Sequence, residues 1–479
     1  MNATPLPDRN ERLGGRWTSP DLVDDLLKLS AIERGTAHVA AGWIAKVPDL
    51  DAKVVLGGIF EECMKRSIGL RQSALALLQR DEAALRVRRA WVEPLAALDA
   101  CSESEVVFSR LTNDLPAFLL SRYRVLLSRL DPLLDARTIK TARTAIAELA
   151  EAKHNGALLF DSIFTDALVA AWSSNDGEPV ALDDLLWQPL DRVPIPARPA
   201  ERPRPQAGAR AHLRHLSRRD PSDLAIELND NVMSELCAME LMARCSYEHP
   251  DLSWSNHLSL AAHVADEARH TAIFRRLIEQ HGFCESQLPQ HGANYEYAYA
   301  FPECDPGSKH ELIWRLLIVC TVLEALAIDK LPVEIASRDV LGPADLARAL
   351  DYISIDELFH TENGLRLTRQ LCEKYGLDPM LERELVHGRF FGRQRKVRAE
   401  YLAADTERAG REIAILEAPD PDGLTFQSRT EVELRRRASF TEEECEQVNR
   451  WGYNPLSPPS AGKSNGSLPH QIADARQEA

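Results

Sequence analysis

The chain has 479 residues and a formal net charge of −16. That acidity opposes nucleic acid or an anionic membrane surface as partner, and no apolar run reads as a membrane span or a signal peptide. Nine cysteines without a C-x-x-C pair indicate reduced thiols and a cytoplasmic location, and the length implies two or more domains.

Aromatics are few, Leu, Ala, Arg and Glu are abundant, and no alternating strands with hairpin turns are evident. An all-α fold is therefore expected. Helical patterns run at about 20–47, 51–90, 104–131 and 137–172, and a first helical unit is placed at 1–180. Residues 181–212 contain alternating prolines from Pro189 to Pro205, which predict an extended spacer.

A second unit is placed at 213–417. Its first helix runs from Ser222 to Tyr247 and carries Glu227, Glu235 and Glu240. The next holds Asp266-Glu267-Ala-Arg-His270. A long loop follows from Cys284 to Gly307, containing Asn294-Tyr-Glu-Tyr-Ala-Tyr-Ala-Phe301. Loops of that length either cap a pocket or cover the end of a helical domain. Ser308 and Glu311 match a capping box. The stretch Leu316–Ile328 behind them is apolar except for Thr321 and Glu324. A helix apolar all round is buried, and an ionised Glu in it is expensive unless paired. Asp356-Glu357-Leu-Phe-His360 lies on the helix after that. Residues 418–479 are expected to form a helical extension, at about 429–450, and a disordered tail from Asn454.

Two of these segments carry the chemistry. In a helix, residues i and i+3 share a face, so each Glu-x-x-His offers a carboxylate and an imidazole to one point. The motif alone is weak, because four copies occur, the others at Glu151–His154 and Glu384–His387, and about one is expected by chance. The surroundings decide. Helical domains that hold two iron or manganese ions use a Glu from each of two helices and a Glu-x-x-His from each of the other two. Glu324 precedes Glu357 by 33 residues, and Glu235 precedes Glu267 by 32. With a turn near Pro250, Glu235 and Glu267 are each about 16 residues away, roughly 24 Å of rise, and so stand at one height. Glu240, 27 residues before Glu267, is the alternative to Glu235. His263 lies four residues before Glu267 and offers a seventh donor, though a polar neighbour is the commoner role for such a residue. Cys237 and Cys320 read as core filler. Glu248, His249, His281 and His310 fall at turns or helix ends and read as solvated.

The order Glu235, Glu267/His270, Glu324, Glu357/His360 resembles the ferritin-like di-metal carboxylate superfamily, and the doubled Asp-Glu-x-x-His its oxygen-activating branch. The run Ser234-Glu-Leu-Cys-Ala-Met-Glu-Leu241 with Val264-Ala-Asp-Glu-Ala-Arg-His270 is also similar to an uncharacterised bacterial ferritin-like family near the tRNA hydroxylases. The resemblance covers about 220–375. It implies that Glu235, Glu267 and His270 serve one metal and Glu324, Glu357 and His360 the other, with some Glu bridging. It implies that Asp266 and Asp356 accept the ring N–H of ligand imidazoles. It implies two Fe ions (Fe/Mn or Mn being the alternatives) and O2 as co-substrate. Electrons would come from an external reductase or ferredoxin, because no flavin or nicotinamide fingerprint is present. The expected activity is hydroxylation, desaturation or N-oxidation of a small organic molecule; the net charge weighs against tRNA. An iron-oxidising storage protein and a metal-free scaffold are the alternatives, and a dimer is one expected assembly.

Three short matches point to an internal duplication. Pro48-Asp-Leu50 repeats at Pro250-Asp-Leu252, Leu130–Pro132 pairs with Lys330–Pro332, and Glu151-x-x-His154 with Glu357-x-x-His360. An offset of 202 sets Glu33 on Glu235 and Lys65 on Glu267, and one of 200 sets Arg124 on Glu324. The first copy is thus expected to be a degenerate partner whose Lys65 and Arg124 repel metal and pair with Glu33 or Glu151, and which packs on the second copy and walls its pocket.

Overall fold

The computed structural model describes residues 19–78, 85–132, 135–152, 162–174, 176–199, 221–288, 290, 295, 298–299, 308–325, 327–329, 331–332, 335, 344–389 and 432–451. These residues are mostly helical. Helix α1 (Ser19–Ile44) turns at Pro48 into α2 (Leu50–Leu78). Asp49 Oδ1 accepts the Ala52 N–H at 2.8 Å and so caps α2.

The helix expected at 51–90 ends earlier. Arg86–Arg88 forms a short strand, β1, antiparallel to β2 (Pro179–Ala181), with Val87 opposite Val180. Three residues per strand are too few to show a period of two, and the partners lie about ninety residues apart, so the pair is invisible to local pattern. Between the strands run α3 (Glu93–Asp99), α4 (Ser104–Ser109) and α5 (Leu115–Arg129), the last two joined by a π-helical turn at Arg110–Asp114. Helices α6 (Ala136–Ala152) and α7 (Ser162–Ser173) complete the first half; His154 lies outside the described residues.

The second half opens with the hairpin α8 (Pro221–Glu248) and α9 (Trp254–Gln280). Ser253 caps α9 by accepting the Asn256 N–H, and Gly282 ends it at φ +79, a left-handed geometry that glycine adopts without penalty. Helix α10 (Lys309–Leu316) continues as a π-helix over Leu317–Leu323. Helix α11 (Ala344–Tyr375) closes at Gly376, φ +67. Helical residues 379–389 follow, then α12 (Val432–Arg437) and α13 (Glu442–Trp451), which divide the helix expected at 429–450. Residues 200–212 of the spacer, 390–431 and the tail lie outside the described residues.

The two long hairpins pack on each other, α2 against α9 and α1 against α8. A Cβ on Gly57 of α2 would lie 3.0 Å from the Ala268 Cβ, so glycine permits that approach. Helices α5 and α6 lie on the far side of the first hairpin, and α10, its π extension and α11 on the far side of the second. The spacer is a strap across both. Leu190 N–H donates to the Tyr247 hydroxyl, Val193 N–H to the Tyr299 hydroxyl and Ala197 N–H to Ala45 O. Arg198 binds Glu240 through both terminal nitrogens.

Several expectations are corrected by packing. Lys65 is exposed and pairs with Glu61 at 2.6 Å, and Arg124 is exposed. One position away, Arg66 and Tyr123 point inward instead. Arg66 binds Glu33 at 2.8 and 3.1 Å and Glu148 at 3.0 Å, and Tyr123 donates to Glu33 at 2.8 Å. Glu151 is exposed and takes no part. The Ser308 side chain makes no cap hydrogen bond; the Glu311 N–H donates to Ser308 O at 3.1 Å, and the Glu311 carboxylate pairs with Arg192 and Arg315. Glu248 is buried rather than solvated and binds Arg244 and Arg315. His310 and His281 pair with Glu382 and Asp345. In the long loop, Tyr295 and Tyr299 are buried and stacked, gripping Val193 and Glu248. They cover the end of the helices, and neither lines the cavity described below. No described helix is long and apolar enough to cross a membrane.

Candidate metal centre

Helices α8, α9, α10 with its π extension, and α11 surround one buried cluster. Helix α9 contributes His263, Glu267 and His270 at spacings of four and three, all buried. Helix α11 contributes Glu357 and His360, also buried. Glu235 comes from α8. Glu324 follows the π-helical segment directly. A π turn holds an extra residue, so it re-phases the side chains behind it, and such turns recur at functional sites. The sequence reads through this stretch as ordinary helix.

The donors form two groups of four, each within 4.8 Å: Glu235, Glu267, His270 and Glu357, and His263, Glu267, Glu324 and His360. Glu267 belongs to both. The sequence pairing of Glu357 with His360 therefore differs from the geometry, in which Glu357 stands with His270 and Glu235. The i, i+3 rule fixes which face a residue takes but not which neighbour it meets across the helix interface. Glu240, the alternative to Glu235, is elsewhere: it binds Lys53 at 2.7 Å as well as Arg198, because five residues along α8 turns it toward α2. His263 is inside the second group. Its Nε2 lies 2.7 Å from Glu324 and 3.2 Å from Glu267, and its ring stacks on His360 with centroids 3.9 Å apart.

The outer nitrogens are held crosswise. His270 Nε2 meets Asp356 at 3.0 Å, and His360 Nε2 meets Asp266 at 3.3 Å, so each motif's Asp orients the other motif's imidazole. Arg269 Nη2 spans both acids, at 2.7 Å to Asp266 and 2.9 Å to Asp356. With Nε2 so occupied, Nδ1 of each imidazole faces the cluster. His270 Nδ1 lies 3.3 Å from Glu267, and His360 Nδ1 lies 3.3 Å from Glu267. Neither contact is a hydrogen bond: both Nδ1 atoms, Glu267 Oε2, both Glu324 oxygens and Glu357 Oε2 are buried without a hydrogen-bond partner. Buried polar atoms rarely stay unsatisfied, and here they converge.

Protonation shows the same conflict. Burial, and next the charge of Glu267, pushes Glu235 up to about 8. Burial and then Glu267, Glu324 and Glu235 push Glu357 well up. Burial lowers the His263 imidazole, yet Glu324 more than reverses this and raises it. Like charges this close cannot all ionise without a counter-charge. Four carboxylates and three imidazoles with inward lone pairs could hold metal ions. A cavity of about 80 Å³ opens beside them, lined by residues of α8, α9, the π segment and its continuation, and α11. No described residue of the first half lines it, contrary to the expectation that this half walls the pocket.

Cys237 and Cys320 are buried. Cys320 of the π segment packs against Gly364 of α11, where a Cβ on Gly364 would overlap the Cys320 Cβ and lie 2.6 Å from its Sγ. Arg269 and Gly364 were not singled out by sequence; the only signal was their position one residue before and four after a motif histidine.

No curated protein and no solved structure matches the chain. Residues 162–417, just over half the chain, match the model of DUF455, proteins of unknown function, and the match spans every donor from Glu235 to His360. The chain with this buried carboxylate and imidazole cluster belongs to the DUF455 family.

Proposed function

We propose that this chain is a ferritin-like, di-metal carboxylate oxidoreductase built from a duplicated helical unit, whose second copy carries the metals and whose first copy has lost them. The observation that carries the reading is the pair of four-donor groups sharing Glu267, with converging buried atoms that lack partners. Bound iron would supply the capacity to reduce O2 and oxidise a neighbouring organic molecule. Glu235, Glu267 and His270 with Glu357 would hold one ion, and Glu324, His360 and His263 with the shared Glu267 the other. Asp266 and Asp356 fix the imidazole tautomer by accepting the Nε2 proton and raise ring basicity. The apolar helices around the cluster limit its contact with water to the adjoining cavity, which strengthens the charge interactions inside.

The Glu33, Arg66, Tyr123 and Glu148 group supports the loss of metal from the first copy, because a guanidinium supplies there the positive charge that the second copy lacks. Electrons would come from an external reductase or ferredoxin. The test is metal analysis with an optical spectrum, followed by O2 uptake against candidate substrates. Two metals per chain and substrate-stimulated uptake are expected. Four metals per chain would contradict the degenerate first copy, none would leave a scaffold, and iron accumulation without stimulated uptake would leave an iron-handling protein.

A further inference from the structure

The cavity beside the cluster separates α8 from the π segment. Its walls are Ala238, Leu241, Val319, Leu323 and Ala327, with Ser234 and Cys237 as weakly polar neighbours. Among the described residues no Lys, Arg, Asn or Gln lines it. Arg198 approaches from behind, 3.9 Å from Cys237 Sγ, but its guanidinium is engaged by Glu240. The floor is Glu235, Glu267, Glu324 and Glu357. Four carboxylates against two divalent ions leave no net charge. The described wall and floor therefore offer nothing to offset the desolvation of a charged ligand group, a cost of several kcal/mol in an apolar setting. Size is bounded too. An apolar cavity of about 150 Å³ admits benzene, and this one is about 80 Å³. Ala238, Leu323 and Ala327 are partly exposed, so the chamber opens to solvent between them.

We propose that this chamber takes the uncharged, apolar end of the substrate, of the size of a short alkyl group, and that Ala238 and Ala327 set how large that end can be. The proposal rests on the di-metal reading above and adds its substrate class. A polar or ionic remainder of the substrate stays at the mouth, outside the helices.

The test uses the full chain loaded with zinc, which is redox-inert, and xenon as the probe, read by crystallography under pressure or by xenon NMR. With two zinc ions per chain, one xenon site is expected in the chamber. Ala238→Leu should abolish it while keeping the zinc count at two; Ala327→Leu serves if the first variant does not fold. A zinc count below two in the parent protein overturns the di-metal reading and this inference with it. Zinc at two with xenon excluded, or a xenon site unchanged in both variants, overturns the chamber inference alone. In the iron-loaded protein, short n-alkanols should stimulate O2 uptake at least tenfold more than carboxylates of equal length. Equal stimulation would also overturn it.

Discussion

His270 donates its Nε2 proton to Asp356 at 3.0 Å, although the two residues lie 86 positions apart on different helices and in different motifs. The reciprocal bond joins His360 to Asp266 at 3.3 Å, and Arg269 ties both acids together. Orientation of each candidate ligand therefore depends on the other helix being in register. Asp356→Ala should weaken metal binding by about 10–100-fold with helix content unchanged. A chelator-competition titration with circular dichroism measures both, and unaltered affinity would refute the orienting role.

Glu267 is shared by the two donor groups, whereas Glu357 belongs to one. Glu267→Ala should empty both metal positions, and Glu357→Ala should lower the count toward one and abolish metal-dependent turnover. Plasma emission analysis of the purified variants distinguishes the two. Equal loss in both would contradict the shared position.

Gly364 faces Cys320 where the π segment meets α11. Gly364→Ala places a methyl group into backbone-anchored atoms that cannot rotate away. Overpacking of this kind costs about 1–3 kcal/mol, and here it also displaces His360, one turn earlier. A lowered urea midpoint together with reduced metal content is expected. A midpoint within experimental error of the parent would show that the approach is slack.

Arg66 neutralises Glu33 in the centre of the first half. Arg66→Met strands a buried carboxylate, a change worth about 3–5 kcal/mol, and it should not raise the metal count above two per chain. Urea unfolding and metal analysis of the same sample test both halves of the statement.

Acid sensitivity should centre on Glu248. Burial raises its pKa, but Arg315 and Arg244 overcome this and hold it at about 2, against 4.5 in a free side chain. The folded value is the lower one. The stabilisation is therefore fully present above about pH 4.5 and is lost as pH falls toward 2, amounting to about 3 kcal/mol. Glu248→Gln should lower stability at neutral pH and flatten this acid limb. An unchanged slope between those pH values would assign the acid response to other groups.

The local code was legible wherever a helix's own period suffices. Glu267/His270 and Glu357/His360 share faces because 3.6 residues make a turn, and Pro250 marks the hairpin that brings Glu235 to their height. The inward face of the first half was missed by one residue on each helix: Arg66 and Tyr123, not Lys65 and Arg124, face the centre.

What packing alone decided is of another kind. Which Asp holds which imidazole, whether Glu357 stands with His360 or His270, and where Glu240 turns all depend on contacts between residues tens to hundreds of positions apart. The π turn before Glu324, the three-residue strands and the charge pairs of the strap likewise leave no period in the chain. Sequence by itself determined the helices, their inward faces and the types of donor atom they carry, because those follow from bonds within a few residues. The tertiary structure decided how the faces meet, because interdigitation of side chains from different helices sets that geometry, and no local pattern encodes it.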